Sequence, residues 1–298
     1  MWPCFRAIPL PTLFIGPAVP ELPEVEVTRQ GLLRHLPGCR IVAVRWSGKS
    51  LRRPLPRREL RRWITGSTIL TVQRRAKYLL VSMEDGTVLV VHLGMSGTLG
   101  LFAVRAATAP HDHLCLELDN GLELRYHDAR RFGMILVWPA PAADRLRVDF
   151  FARTGPEPFS DAFSSRHLRH LAGKRLRPVK NFLLDQGVVA GLGNIYVCEI
   201  LFGAGLHPET PVNIIQEKQW RRVVTCCRRT LEAAIAGGGT TIADFVSSSG
   251  RPGYFQLSLN VYNRSGKPCK RCSAPIQKIV LAGRSTFFCP ECQRKRGN

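Results

Sequence analysis

The chain has 298 residues and a formal charge of +21, from 43 Lys and Arg against 22 Asp and Glu. That length holds two domains, each with material for its own core. So basic a balance, spread over a globular chain rather than a tail, points to nucleic acid as partner, and no stretch approaches the roughly 18 apolar residues of a membrane span.

Residues 1–19 superficially resemble a leader, but Pro3, Pro9, Pro11 and Pro17 interrupt each apolar run and Arg6 is the sole basic residue. Neither a signal core nor a transit peptide fits. Pro20-Glu21-Leu22-Pro23-Glu24-Val25-Glu26 then reads as a helix start. Pro23 suits the first helical turn, and Glu24 and Glu26 complement the positive end of the helix dipole. Val25, Leu32, Leu33 and Leu36 fall near helical spacing until Pro37-Gly38 stops the run.

From Arg40 to about Trp138 the pattern is strand-like. Residues 41–44, 69–72, 78–81 and 88–91 are β-rich runs separated by turn residues. Leu114–Leu118 and Leu122–Tyr126 alternate apolar and polar positions around Asp119-Asn120-Gly121, where Asn-Gly suits a tight primed turn. These strands predict an antiparallel β-sandwich with the N-terminal helix laid against it.

Pro139, Pro141, Pro156 and Pro158 mark a linker. Residues 160 to about 245 read as four or five helices with stops at Gly187, Gly205 and Gly237-Gly238-Gly239. A Gly/Ser-rich loop, Ser247 to Tyr254, leads to the terminal cysteine module.

That module carries the strongest chemical signal. Cys269-x-x-Cys272 and Cys289-x-x-Cys292 are spaced as two knuckles of a closed tetrahedral site. One structural Zn2+ is expected there, with no position open for water. A hairpin is predicted between the knuckles, with Arg284 at its tip. From residue 269 onward seven Lys and Arg stand against one Glu, so the finger is expected to touch phosphate. The other cysteines (Cys4, Cys39, Cys115, Cys198, Cys226, Cys227) show no pairing pattern. Cys226 and Cys227 suit a helix interior, and a reducing cytoplasm is the better match.

Gly191-Leu192-Gly193-Asn194 lies between helical segments, where helix-start N–H groups and the Asn194 side chain are suited to hold a phosphate; a tight helix–helix turn is the alternative. Gln73-Arg74-Arg75-Ala76-Lys77-Tyr78 and Asp128-Ala129-Arg130-Arg131-Phe132-Gly133 are basic clusters in strand regions. Most such clusters are solvated edges, but an arginine beside an aromatic can fill the gap left by an extruded base. Met95, in His92-Leu93-Gly94-Met95-Ser96-Gly97, is either a further wedge or core. His111 and His113 lack a third metal ligand and suit a phosphate contact or a surface polar role.

In this order the motifs resemble the formamidopyrimidine-DNA glycosylase family, bacterial base-excision repair enzymes also called MutM. The likeness runs from Pro20 to about Arg294 and includes Pro252-Gly253-Tyr254-Phe255 and the finger. It implies an α+β chain: a β-sandwich with a leading helix over 20–150, a helix-two-turn-helix domain over 151–262 and a zinc finger over 263–298. It also implies a bifunctional glycosylase and AP lyase for oxidised purines such as 8-oxoguanine, acting on damaged double-stranded DNA as a monomer without a catalytic cofactor. The related endonuclease VIII branch, which takes oxidised pyrimidines, fits less well because it lacks the Arg-Arg-Phe element. A non-catalytic lesion-binding protein is a further alternative.

By resemblance, the Pro20 nitrogen attacks C1′ of the damaged nucleoside and forms a Schiff base. Glu21 is the general acid. Lys77 and Arg284 hold the flanking phosphates during elimination. His111, Arg130, Arg175, Lys180 and Asn194 fall on DNA-contact positions, with Met95 and Phe132 filling the void beside Arg130. Tyr262 and Arg264 lie where the flipped site is contacted, and Asn263 replaces the family's usual Gly, a change its tolerance of the left-handed region should absorb. With Val19 in front, Pro20 would be an amide. Val19 stands where an initiator methionine is expected, as a GUG start misread as valine would place it, so residues 1–19 are expected to be a mis-assigned start with the mature chain beginning at Pro20.

Overall fold

The computed structural model describes residues 20–238 and 259–295. Residues 1–19, Gly239, the Ser247–Tyr254 loop and the Pro252–Phe255 segment lie outside the described residues.

Helix α1 spans Leu22–Leu33 with Pro23 in its first turn, as its composition predicts. A capping box starts it: the Glu24 side chain accepts the Glu21 amide at 2.9 Å. Strands β1 (Ile41–Trp46), β6 (Asp112–Leu118), β7 (Leu122–His127) and β5 (Thr98–Ala103) form one antiparallel sheet. Strands β2 (Ile69–Arg75), β3 (Tyr78–Met83), β4 (Val88–His92) and β8 (Met134–Trp138) form the second. Their inner faces bury Val72, Leu79, Val81, Leu89, Leu101, Leu116 and Leu124, which makes the predicted sandwich.

Three local readings change. The β6–β7 loop has a positive φ at Gly121 alone among Asp119, Asn120 and Gly121, so it is a three-residue turn closed by a left-handed glycine, not a primed pair. Between β1 and β2, a short helix α2 (Arg57–Glu59) runs into a π-helical turn at Leu60–Ile64 that the sequence pattern does not announce. Helix α1 is not an accessory of the sandwich alone. Leu22 sits in the helical core, whereas Val25 and Leu32 sit in the sandwich core. One helix therefore pins both halves.

Helix α3 (Ala143–Phe151) closes the first half, packing Phe150 and Phe151 edge-on against Trp138 and Tyr78. The second half contains α4 (Ser165–Ala172), α5 (Val179–Leu183), α6 (Asn194–Ala204) and α7 (Glu217–Gly237). Gly205 ends α6 in the left-handed conformation as expected, and Cys226 and Cys227 are buried on α7. Strands β9 (Gln277–Leu281) and β10 (Arg284–Phe288) form the finger hairpin. Ala282 and Gly283 both have positive φ, so the primed turn occurs here.

The finger is fastened by buried polar groups. Glu199 on α6 accepts the amides of Asn260, Val261 and Tyr262 and the Asn260 side chain, at 2.8–3.0 Å. Gln293, fully buried, bonds the Cys289 amide and the Leu206 carbonyl. No helix among the described residues is long and apolar enough to cross a membrane.

Glu199→Ala leaves those donors without an acceptor, at roughly 1–3 kcal/mol for each buried one. The expected result is amide exchange at Val261 and Tyr262 faster by about a hundredfold or more. Unchanged protection in hydrogen-exchange mass spectrometry would remove Glu199 as the finger's anchor.

Candidate active site and nucleic-acid interface

Glu21, at the N-cap of α1, is 2 % exposed. Its carboxylate meets the first turn of α6, accepting the Ile195 amide at 2.9 Å and the Tyr196 amide at 3.4 Å. Gly191 and Gly193 make room for it. A Cβ at Gly193 would lie 2.3 Å from the Glu21 carboxyl carbon, and one at Gly191, whose φ is +81°, would strike Leu22. The Leu22 amide donates to the Gly191 carbonyl at 3.1 Å. The glycine turn expected to cradle a phosphate thus cradles a carboxylate of the same chain, and the α6 N–H groups are engaged by Glu21.

Burial drives the Glu21 pKa above the ordinary carboxylate value, against the opposing effects of Lys77 and the α6 amides. Glu24 sits beside it, accepting the Tyr196 hydroxyl at 2.6 Å, and burial raises its pKa to about 7. Lys77, in the β2–β3 turn, lies in the field of both carboxylates and of Arg284; burial, opposed by the carboxylates, lowers its pKa. His92 is held neutral, its pKa lowered to about 4 by burial and by Lys77 and Arg52. Pro20, half-buried, directly precedes this group.

Several expected roles shift. Lys180 is fully buried: its ammonium donates to Thr286 Oγ1 at 2.6 Å and to the Ser285 carbonyl at 3.2 Å. It therefore holds the β10 strand rather than an open phosphate. Asn194 also donates its amide to the Ser285 carbonyl, at 2.9 Å, instead of presenting it to solvent. Together they aim the exposed Arg284 from the finger toward the Lys77 side of the site. Arg264 bonds the carbonyls of Asn260 and Pro268, bracing its own loop, with Asn263 left-handed at φ +57° as its replacement of glycine requires. Tyr262 packs on Phe287 with ring centroids 5.1 Å apart. Arg175 is exposed beyond α4 and bonds the Leu171 carbonyl.

A second group forms where two loops of the sandwich meet. The Arg130 guanidinium lies over the Phe132 ring at 4.9 Å, and Phe132 is 45 % exposed. Met95 is half-buried beside them, because Gly94 sits so close that a Cβ would lie 2.4 Å from the Gly133 nitrogen. Asp128 organises both loops. It accepts Ser96 Oγ (2.6 Å), the Tyr126 hydroxyl (3.0 Å) and the Gly133 amide (2.8 Å), while its carbonyl meets His113 Nε2 at 3.0 Å. His113 is therefore a buried strut. His111 is exposed, left-handed at φ +76°.

The Arg74-Arg75 pair is not a solvated edge. Glu157, from the linker, bonds Arg74 at 2.7 Å, Arg75 at 2.9 Å and the Ala76 amide at 2.7 Å; Arg74 also reaches Glu26. This clamp fixes the turn that presents Lys77, and nothing in the local sequence around Glu157 marked it.

The four cysteine sulfurs lie within 4.8 Å of one another, with separations of 3.4, 3.5 and 3.9 Å between named pairs. The edge of a Zn–S4 tetrahedron with bonds of about 2.3 Å is about 3.8 Å, so the set fits zinc. Cys269, Cys272, Cys289 and Cys292 would hold it, and four thiolates leave no place for a reacting water.

Three family models match in succession: the formamidopyrimidine-DNA glycosylase N-terminal domain over residues 19–135, its H2TH domain over 154–246, and the zinc finger found in FPG and IleRS over 266–294. The chain belongs to the formamidopyrimidine-DNA glycosylase family. It is 46 % identical over 276 residues to the formamidopyrimidine-DNA glycosylase of Methylococcus capsulatus, covering 93 % of this chain and all of the relative. Among solved structures it resembles a Lactococcus lactis Fpg mutant in complex with Fapy-dG-containing DNA (TM-score 0.81, 35 % identity, 93 % of this chain and 100 % of the other). The complex of Lactococcus lactis Fpg with abasic-site DNA matches with the same TM-score, identity and coverage. The chain is thus a DNA-binding repair glycosylase with one structural zinc, and the formamidopyrimidine branch prevails over the endonuclease VIII branch.

Two outcomes test the supporting shell. Glu157→Ala is expected to lower single-turnover strand cleavage roughly a hundredfold, as misplacement of a catalytic group by about 1 Å does, with DNA affinity changed far less. An equal loss of affinity would mean the clamp serves the fold alone. Cys272→Ser is expected to lose zinc, far-UV signal from the finger and DNA binding together, measured by metal content, circular dichroism and gel shift.

Proposed function

We propose that this chain excises oxidised purines, such as formamidopyrimidines and 8-oxoguanine, with Pro20 as nucleophile and Glu21 as general acid. The observation that carries this is the Glu21 carboxylate, fixed at the α6 N-terminus in a site dry enough to raise its pKa, one residue from Pro20.

A secondary amine attacks C1′, the glycosidic bond breaks and the base departs with the electron pair. Glu21, kept protonated higher in the pH range than an ordinary glutamate, gives its proton to the opening deoxyribose. The resulting iminium withdraws electrons, so loss of a C2′ proton expels the 3′ phosphate and a second elimination expels the 5′ phosphate. Lys77 and Arg284 meet those phosphates as cations, for which a guanidinium that keeps its proton is well suited. Arg130 and Phe132, with Met95 behind them, fill the space left by the flipped nucleotide.

The reading needs a free Pro20 nitrogen, so we place the working N-terminus there and treat residues 20–150, 151–262 and 263–298 as sandwich, helical domain and finger. One cleft serves one lesion, which favours a monomer working on the chromosome in a bacterial cytoplasm.

Borohydride trapping on an 8-oxoguanine:C duplex, followed by peptide mapping, is expected to give one adduct at an N-terminal Pro20. Tight binding to abasic DNA without any adduct would instead make it a lesion-binding protein. Glu21→Gln is expected to keep DNA binding and lose base excision. The amine must be neutral and Glu21 protonated, so single-turnover excision should be bell-shaped in pH. Its alkaline limb should fall above the ordinary carboxylate range, in the direction of the Glu21 shift.

A further inference from the structure

Residues 52–62 contain six arginines, Arg52, Arg53, Arg57, Arg58, Arg61 and Arg62, against the single acid Glu59. All six are exposed, and none forms an ion pair among the described residues. The segment is not a loose basic loop. Leu51, Leu55, Leu60 and Ile64 are buried in the sandwich core and anchor its underside. Its upper side is ordered by an aromatic ring: the Arg61 and Arg57 guanidiniums lie 5.0 and 5.8 Å from the centroid of Trp46, and Arg57 is further held by the Gly48 carbonyl at 2.9 Å. Arg62 lies 5.1 Å over Trp63. Trp46, Arg57, Arg58, Arg61 and Arg62 line an open groove of about 660 Å3.

Arg57 and Arg61, like Arg58 and Arg62, are like charges four residues apart in a helical segment, an arrangement that destabilises the helix by a few tenths of a kcal/mol per pair in the absence of a counter-charge. A guanidinium held against a ring keeps N–H donors at its edge, and such an edge matches the oxygens of a phosphate. The π-helical turn at Leu60–Ile64 sits under the cluster, a kind of irregularity common at functional sites.

The shelf lies on the edge of the sandwich that carries the void-filling group. The Arg52 amide donates to the Gly133 carbonyl, and Ser47, next to Trp46, bonds His113, the residue that braces Asp128. We propose that this arginine shelf is an additional phosphate-binding surface for duplex DNA, engaging the backbone of undamaged sequence beyond the lesion cleft. This rests on the glycosylase reading above. A duplex long enough to leave the cleft past Arg130 is the polyanion that this edge adjoins. The shelf recognises no base, so it adds affinity for any sequence and makes that part of binding steeply salt-dependent.

The test uses the mature chain, with Pro20 at its N-terminus, in which Arg57, Arg58, Arg61 and Arg62 are together replaced by Gln, and compares a short lesion duplex confined to the cleft with one extended by two helical turns on each side. On the long duplex the slope of log Kd against log salt is expected to become shallower by about 2 to 4, at about 0.9 per lost phosphate contact, with affinity at least tenfold lower near 0.1 M salt. On the short duplex, single-turnover excision and borohydride trapping should be unchanged. The matching fourfold Arg→Lys variant should restore the slope. If the Gln variant does not fold, the pair Arg58→Gln/Arg62→Gln is read in the same way, with about half the change.

An unchanged salt slope on the long duplex, with excision intact, overturns the shelf proposal and leaves the glycosylase reading standing. Failure of the unsubstituted chain to trap or excise overturns the glycosylase reading. Loss of binding to anionic phospholipid vesicles, with DNA binding unaltered, overturns it in favour of a membrane surface.

Discussion

The contact between the Glu21 carboxylate and the first amides of α6 governs the rest of the structure. A carboxylate removed from water carries a penalty of several kcal/mol unless dipoles replace its hydration. Here the replacement is the positive end of a helix, which arrives from the other domain. The two halves of the chain are therefore joined at the atom that the proposed chemistry requires, and neither domain could supply that environment alone. Because burial outweighs the helix dipole and Lys77, the net effect is a raised pKa, as an acid catalyst needs, rather than the depressed value of a simple helix cap.

From that contact the positions of the other groups follow by short mechanical links. Helix α6 carries Asn194 and Glu199. The first reaches Ser285 in the finger, and the second gathers the chain that enters the finger. Lys180 adds a third tie to the same strand. Arg284 is the residue at the end of these ties. On the opposite side, Glu157 fixes the turn that carries Lys77, and Asp128 fixes the two loops that present Met95, Arg130 and Phe132. Each of these carboxylates serves several donors at once. Loops are ordinarily the mobile part of a fold; in this molecule the loops that present Lys77, Met95, Arg130 and Phe132 are each held by a single carboxylate, Glu157 or Asp128.

Much of this was legible in the chain. The alternation of residues 114–126, the β-branched runs at 69–72 and 88–91, and the two cysteine knuckles have short-range periods that burial and metal geometry impose directly. The resemblance supplied the roles. What the pattern did not disclose depends on distant partners. Nothing near Glu157 or Glu199 indicates that their donors lie some eighty and sixty positions away. Lys180 falls on a DNA-contact position by resemblance, and only the approach of β10 makes it a buried strut. The glycine turn at 191–193 carries the same residues whether it serves a phosphate or a carboxylate, and tertiary placement of Glu21 decides between them.

The same geometry separates holding from reacting at the N-terminal end. Glu21 is locked by α6 and by its own capping contact with Glu24, and Leu22 is tied to the Gly191 carbonyl. Pro20 is one peptide bond from these anchors, so its place is set by residues that follow it. What precedes it controls only the chemistry of its nitrogen: a lone pair delocalised into a carbonyl cannot attack C1′, whereas a free secondary amine in the same place can. On the proposed roles, Lys77, Arg284, the Arg130–Phe132 group and the finger would grip damaged DNA in either case. Lesion affinity and strand cleavage are thus separable properties of this fold, and the state of one nitrogen decides whether the second accompanies the first.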